Sequence, residues 1–183
     1  MASQARIVQA YGSWGKNPIG LAADVARSVG ERLDVLCASE YTLFHQVKKH
    51  HWMVVGPEYL PVHKFLDEIA DHARIAGDHL AERMTALGGV PTGSPKGQQE
   101  HSVFAYEETE DAVDGRTMLG RDLSATQAIV VQLRRDIELC RKNGDFGTEE
   151  LLEDLLLEHE EFAHHIDHWL ENDSLTFGLR PPR

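Results

Sequence analysis

The sequence has few cysteines, few basic residues and no long apolar run. Only two of its 183 residues are cysteines, Cys37 and Cys140, and they stand far apart. This argues against a disulfide scaffold and fits a reducing compartment, so we expect a cytosolic protein with two small buried thiols. No apolar stretch approaches the ~18–20 residues of a membrane span, and the N-terminus lacks the apolar segment of a secretory signal.

Positive charge is scarce as well. The chain has 18 lysines and arginines against 30 aspartates and glutamates, a formal net charge of −12. Such a chain repels nucleic acid overall and suits a protein that collects cations. Only Arg6 and Lys16 precede Pro18, and the C-terminal end adds Arg180 and Arg183. We therefore expect DNA binding to be weak or absent at physiological salt.

Apolar residues at helical spacing predict four long helices. They run from about Pro18 to His51, Leu60 to Leu87, Val113 to Lys142 and Thr148 to Glu171. Pro18 is expected near a helix start and Thr148 at an N-cap. Residues 90–111 form a long connection with room for one short helix. Two hairpins joined by a long crossover form an all-α, ferritin-like four-helix bundle, a single domain over residues 1–183 with tails at 1–17 and 172–183.

Histidines and carboxylates around the first hairpin follow a pattern typical of metal ligands. His51 and His63 stand on either side of the turn, and Asp67 follows His63 by one helical turn. Asp78 and Glu82 are also one turn apart, so each pair shares a helix face. Taken singly, these residues are as readily helix caps or solvated surface groups. Their pairing in both halves favours ligands.

The ligands predicted on the second helix cannot all reach one ion. Fifteen residues separate His63 from Asp78, which is roughly 22 Å on a straight helix, whereas ligand bonds are about 2.0–2.2 Å long. The chain therefore carries two half-sites. If two copies of the helix lie antiparallel about a twofold axis, the His63 end of one meets the Glu82 end of the other. This arrangement predicts two identical sites per dimer.

The same residues carry a family resemblance. The first pattern comprises His51-Trp52, Gly56, Val62-His63 and Asp67, and the second comprises Asp78 to Arg83, Leu87-Gly88 and Pro91. Both resemble the signatures of the Dps family, mini-ferritins that protect DNA during starvation. Gly77 departs from that family, which usually has an aliphatic residue there, and a glycine inside a helix costs up to about 1 kcal/mol.

The resemblance implies a hollow homododecamer with twofold dimer interfaces. It implies that His51, His63 and Asp67 of one chain and Asp78 and Glu82 of its neighbour hold two iron ions per site. Hydrogen peroxide, or oxygen more slowly, would oxidise Fe(II) there, and ferric mineral would grow inside the shell. We therefore expect a ferroxidase that stores iron and limits oxidative damage. Mixed imidazole and carboxylate ligands suit redox-active iron.

The last helix carries a histidine cluster, His159, His164, His165 and His168. His164 and His168 are four residues apart, as are Glu161 and His165, so these four residues are candidates for a secondary metal site, and a solvated surface is the alternative. Glu161-x-x-His164 also fits the motif of di-iron sites inside one subunit, but the second helix offers no matching Glu-x-x-His. Two alternative functions follow: a bundle with an intrasubunit di-iron site, and a non-catalytic, DNA-compacting shell.

Overall fold

The computed structural model describes residues 5–106 and 110–171, and these residues contain five helices and no strand. The helices are α1 Ala23–Met53, α2 Tyr59–Ala86, α3 Pro95–His101, α4 Gly115–Asn143 and α5 Phe146–Leu170. The all-α prediction is confirmed, and the crossover does hold one short helix, α3. The predicted C-terminal tail at 172–183 lies outside the described residues. None of the described helices is long and apolar enough to cross a membrane.

The long helices form a bundle of two hairpins. Helix α1 packs against α2 and α4, α5 packs against α4 and α2, and α3 packs on α1. One apolar stripe from each long helix meets in the centre, as the helical spacing predicted. The largest fully buried side chains include Leu33, Leu36, Leu43, Leu66, Ile69, Leu80, Ile129, Leu133, Leu152 and Ile166. Cys37 and Cys140 are buried free thiols, and burial raises the pKa of each to about 12.

Two predicted helix starts are wrong, each for a local reason. Helix α1 begins at Ala23 and not at Pro18, because Pro18 lies in a turn and Gly20 adopts a left-handed φ of 81°. Thr148 is not the N-cap of α5; that residue is Asp145, whose carboxylate accepts hydrogen bonds from the backbone N–H and the hydroxyl of Thr148. A carboxylate at this place satisfies backbone donors of the first turn.

Part of the predicted N-terminal tail, residues 1–17, packs on the bundle. The Trp14 ring lies against Gly30 of α1 and fills the space that a Cβ would need there. The backbone N–H of Gly15 donates to the carbonyl of Gly88, just beyond the end of α2, at 2.8 Å. The segment therefore joins the start of α1 to the end of α2.

Buried polar pairs cross the bundle interior. His159 Nε2 lies 2.7 Å from Glu40 Oε1, and both side chains are fully buried, so the pair connects α5 to α1. His50 Nδ1 lies 2.8 Å from Asp122 Oδ1, which also accepts from the Gln46 amide. A buried pair of this kind adds little net stability while intact, but removal of one partner leaves the other unsatisfied.

We therefore expect Glu40→Leu to lower both the midpoint of thermal unfolding and the free energy of unfolding. The free energy should fall by about 3–5 kcal/mol, because His159 is left buried without its partner. The double variant Glu40→Leu/His159→Leu serves as the control, since it leaves neither polar group behind. It should unfold close to the native midpoint when followed by circular dichroism. A single variant as stable as the native chain would contradict the pairing.

Candidate metal site at the α1–α2 hairpin

The structure brings His51 and His63 together across the first turn. His51 lies in the last turn of α1 and His63 in the second turn of α2. Their rings are stacked, with centroids 3.7 Å apart and an interplanar angle of 21°. The spacing of the two histidines around the turn thus produces a close pair, as predicted.

A reciprocal pair of hydrogen bonds fixes both rings. His51 Nδ1 donates to the backbone carbonyl of His63 at 2.8 Å, and His63 Nδ1 donates to the carbonyl of His51 at 2.8 Å. A carbonyl can only accept, so the proton of each neutral ring stays on Nδ1. The lone pair of each Nε2 is then free. A metal-binding imidazole whose second nitrogen is tied in this way is held in the required tautomer.

Asp67 lies next to this histidine pair. Its Oδ1 is 3.7 Å from His51 Nε2, and its carboxylate also accepts a hydrogen bond from the ammonium group of Lys48. The Lys48 bond, aided by the nearby imidazoles of His51 and His63, lowers the pKa of Asp67. The carboxylate is therefore ionised and is paired with the ammonium group of Lys48. We call His51, His63 and Asp67 the histidine half-site.

No motif in the sequence singled out Lys48. A signal was nevertheless present, because Lys48 precedes His51 by three residues and therefore shares its face of α1. Lys48 is about one-quarter exposed and Asp67 less than half exposed, so an incoming cation can reach the pair. An ammonium group beside Asp67 shows that this position accepts positive charge.

Asp78 and Glu82 form a separate, acidic half-site. Both are exposed and lie one turn apart on α2. Neither carboxylate forms a hydrogen bond or a salt bridge with any residue in the described part of the subunit. Because α2 is one unbroken helix from Tyr59 to Ala86, Asp78 lies roughly 22 Å from His63 along its axis. The structure thus keeps the two half-sites apart within one chain.

Within residues 5–106 and 110–171, no group of three or more His, Cys, Asp or Glu side chains is placed to hold a metal ion. The histidine half-site offers two imidazoles and one carboxylate, but Lys48 occupies part of it. The acidic half-site offers two carboxylates with open solvent around them. Each half supplies donors of the types that bind divalent iron, and within one chain the two halves are too far apart to share an ion.

The secondary cluster on α5 is divided by the fold. Glu161, His164, His165 and His168 are all exposed. The rings of His164 and His168 lie 4.1 Å apart between centroids, and His165 meets the Phe65 ring edge to face. Exposed Glu161 and His164 do not line the bundle interior. The intrasubunit site built on this Glu-x-x-His is therefore not formed by these residues.

His159, the first histidine of that cluster in sequence, is not part of the exposed surface. It is fully buried on the stripe of Phe162 and Ile166, three and seven residues on, a helical periodicity that could have separated it. Burial lowers the pKa of the neighbouring His72, with His159 adding to the effect, and the His72 and His159 rings lie 5.4 Å apart. Burial thus favours the neutral form of His72, whereas His159 is held by its contact with Glu40.

The fold and this hairpin have relatives among known proteins. The protein-family model of the ferritin-like domain matches residues 31–176 of this chain. The chain is 41% identical over 162 residues to the DNA protection during starvation protein of Halobacterium salinarum, covering 88% of each chain. It is 38% identical over 186 residues to the nutrient stress-induced DNA-binding protein of a Nostoc species, covering 100% of this chain and 98% of the relative.

Solved structures agree. The archaeal Dps homologue from Halobacterium salinarum superimposes with a TM-score of 0.90 at 39% identity, over 96% of this chain and 97% of the other. DpsC from Streptomyces coelicolor superimposes with a TM-score of 0.89 at 28% identity, over 93% of this chain and 99% of that one. The overall fold and nearly the whole length of the chain are thus shared with these two proteins.

Proposed function

Since the chain belongs to the Dps family of ferritin-like proteins, we propose that it oxidises Fe(II) and stores the ferric product. Hydrogen peroxide, or oxygen more slowly, is the oxidant, and each site holds two iron ions shared between two subunits. The subunits form a hollow dodecamer in the cytosol that protects the cell from oxidative damage. One observation carries this proposal. The Nε2 atoms of His51 and His63 are free, and within the same chain this pair lies about 22 Å from the exposed pair Asp78 and Glu82.

The shared site follows from the twofold symmetry of most homodimers. Antiparallel packing of α2 on its symmetry mate brings Asp78 and Glu82 of one subunit to the histidine half-site of the other, and this happens twice. The exposed apolar side chains near the histidine half-site support an interface there. They are Trp52, Met53, Val55, Tyr59 and Leu60. Exposed apolar side chains grouped in this way favour a contact surface.

The residues bind iron as the substrate. The Nε2 atoms of His51 and His63 and the carboxylate of Asp67 bind from one side, and Asp78 and Glu82 bind from the other. Two Fe(II) ions together give two electrons to one hydrogen peroxide, which takes up two protons and leaves as two water molecules. Because both electrons arrive at one place, no hydroxyl radical is released. The acidic carboxylates also concentrate Fe(II) by their charge.

The shared site is tested by subunit complementation. His51→Ala disables one half-site and Asp78→Ala the other, so a mixed dimer keeps one intact site of two. Random reassembly of an equimolar mixture should recover about a quarter of the native rate, because half of the dimers are mixed. The rate is followed as ferric absorbance after anaerobic Fe(II) loading and a peroxide pulse. The double variant in one chain should be inactive.

Matched controls come from the same helices. Asp71→Ala and His79→Ala remove exposed side chains of α2 outside both half-sites and should keep the native rate. We propose that the surface histidines collect metal for the site, so Glu161→Ala/His164→Ala should slow oxidation only at limiting Fe(II). Loss of all oxidation in that variant, with activity retained in Asp78→Ala, would establish an intrasubunit centre instead. An inactive mixture with proven mixed dimers would exclude the shared site.

Lys48 should oppose iron binding, because its ammonium group occupies Asp67. We expect Lys48→Met to tighten Fe(II) or Co(II) binding by up to about tenfold, or about 1.4 kcal/mol, as measured by anaerobic titration calorimetry. Lys48→Arg keeps the charge and is the control, with native affinity expected. Unchanged affinity in Lys48→Met would show that the ammonium does not compete with the metal.

DNA binding should be weak despite the names that two relatives carry. The net charge is −12, and Arg6 and Lys16 are the only basic residues before α1. Electrostatic contacts of so few cations are lost as salt rises. In a gel retardation assay we expect no retained DNA at about 150 mM salt. Salt-resistant retention by a protein that does not oxidise Fe(II) would support a DNA-compacting shell instead.

A further inference from the structure

Four polar side-chain atoms meet where the N-terminal segment, α1 and the crossover come together. They are the Tyr11 hydroxyl, Oδ2 of Asp34 on α1, Oγ1 of Thr92 before α3 and Nδ1 of His101 at the end of α3. Seventeen residues separate Asp34 from His51 on α1, roughly 25 Å along the helix. This group, which we call the Tyr11 cluster, is therefore distinct from the histidine half-site.

All six distances between the four atoms of the Tyr11 cluster are short. Asp34 Oδ2 lies 2.9 Å from the Tyr11 hydroxyl and 2.8 Å from Thr92 Oγ1. His101 Nδ1 lies 3.2 Å from both Asp34 Oδ2 and the Tyr11 hydroxyl. Thr92 Oγ1 lies 2.9 Å from the Tyr11 hydroxyl and 3.3 Å from His101 Nδ1. Four atoms that are all mutual neighbours stand at the corners of a tetrahedron.

Hydrogen bonds account for only half of these six contacts. Tyr11 and Thr92 each have one O–H, and His101 can carry one hydrogen on Nδ1, whereas the Asp34 carboxylate only accepts. Three hydrogens serve three contacts. In the other three contacts, electronegative atoms face each other and repel unless a shared positive charge lies between them. The arrangement is therefore better suited to a cation at its centre than to hydrogen bonds alone.

From this geometry we propose that the Tyr11 cluster binds one zinc ion in each chain. Zinc in proteins usually has four ligands at tetrahedral corners, with bonds of about 2.0–2.2 Å to imidazole nitrogen and carboxylate oxygen. The centre of a tetrahedron with edges of 2.8–3.3 Å lies about 1.7–2.0 Å from its corners, so outward shifts of a few tenths of an ångström give zinc its bond lengths. The proposal does not depend on the iron chemistry of the hairpin.

The surroundings of the Tyr11 cluster prepare two of its ligands. The second oxygen of Asp34, Oδ1, accepts a hydrogen bond of 2.6 Å from the backbone N–H of Thr92, and such supporting bonds orient a metal ligand. Burial and the Asp34 carboxylate raise the pKa of the Tyr11 phenol, against an opposing effect of its hydrogen bond with Thr92. The metal-free phenol therefore keeps its proton at neutral pH. Zinc takes the place of that proton, which passes to the solvent.

An ion can reach the Tyr11 cluster from the surface, and its binding should stabilise the fold. Tyr11 is 57% exposed, and a cavity of about 260 Å³ lined in part by Tyr11, Glu31, Asp34 and His101 opens beside the cluster. A bound ion ties the N-terminal segment and the crossover to α1, since its ligands come from all three. Because only the folded chain holds these ligands together, zinc should favour the folded state.

The test titrates the full chain with Co²⁺, which replaces zinc and absorbs visible light strongly when it is bound tetrahedrally. The background is His51→Ala/Asp78→Ala, because it lacks one ligand in each half-site of the proposed iron centre. We expect this absorption to saturate at one Co²⁺ per chain and to disappear when Zn²⁺ is added. Tyr11→Phe or His101→Ala in this background should weaken binding by more than the about tenfold to hundredfold that loss of a supporting contact costs.

A matched control comes from α5. His164→Ala/His168→Ala removes two exposed rings that also lie close together and should leave the Co²⁺ absorption unchanged. In thermal unfolding, Zn²⁺ should raise the midpoint of the background variant but not that of the same variant carrying Tyr11→Phe. An absorption that survives His101→Ala, or that is absent with all four ligands in place, would overturn the zinc site. An equal rise of the midpoint with and without the Tyr11 hydroxyl would overturn it as well.

Discussion

The two crossed hydrogen bonds between His51 and His63 are the constraint on which the rest of the site depends. Each imidazole holds the backbone of the other helix, so the end of α1 and the start of α2 are joined at the same point where the ligands stand. The same two hydrogen bonds therefore fix both the geometry of the turn and the tautomer of each histidine. A side chain that both closes a hairpin and presents a lone pair needs little reorganisation when a metal arrives.

The fold divides charge between the interior and the surface. In the interior, Glu40 is paired with His159 and His50 with Asp122. On the surface, Asp78 and Glu82 are left without partners in the described subunit, where they are hydrated and inexpensive. Only the surface carboxylates are thus available to a second subunit. Of the buried carboxylates, Glu40 connects α1 to α5, which stand diagonally across the bundle, and Asp122 connects α4 to α1.

Much of this could be predicted from the sequence, because helical periodicity and the spacing of five ligand residues are local properties. Spacing along α2 alone showed that His63 and Asp78 are too far apart to share an ion. The two wrong helix starts also have local causes. Asp145, and not Thr148, is the N-cap of α5, and a turn at Pro18 places the start of α1 at Ala23. Sequence reasoning missed that Lys48 lies beside Asp67 and that His159 faces inward. These features arise from contacts between helices or from the rotation of one helix, which spacing within a short motif does not reveal.

The packing of Trp14 depends on two glycines that are distant in sequence, Gly30 and Gly89. Its ring occupies the space beside Gly30 and touches the space beside Gly89, so three positions far apart in sequence fit together as one joint. A side chain at position 30 would expel the indole, and a smaller residue at position 14 would leave a void beside two glycines. Substitutions at these positions are therefore tolerated only in combination, and descendants of this chain should inherit the aromatic residue and its glycines as a set.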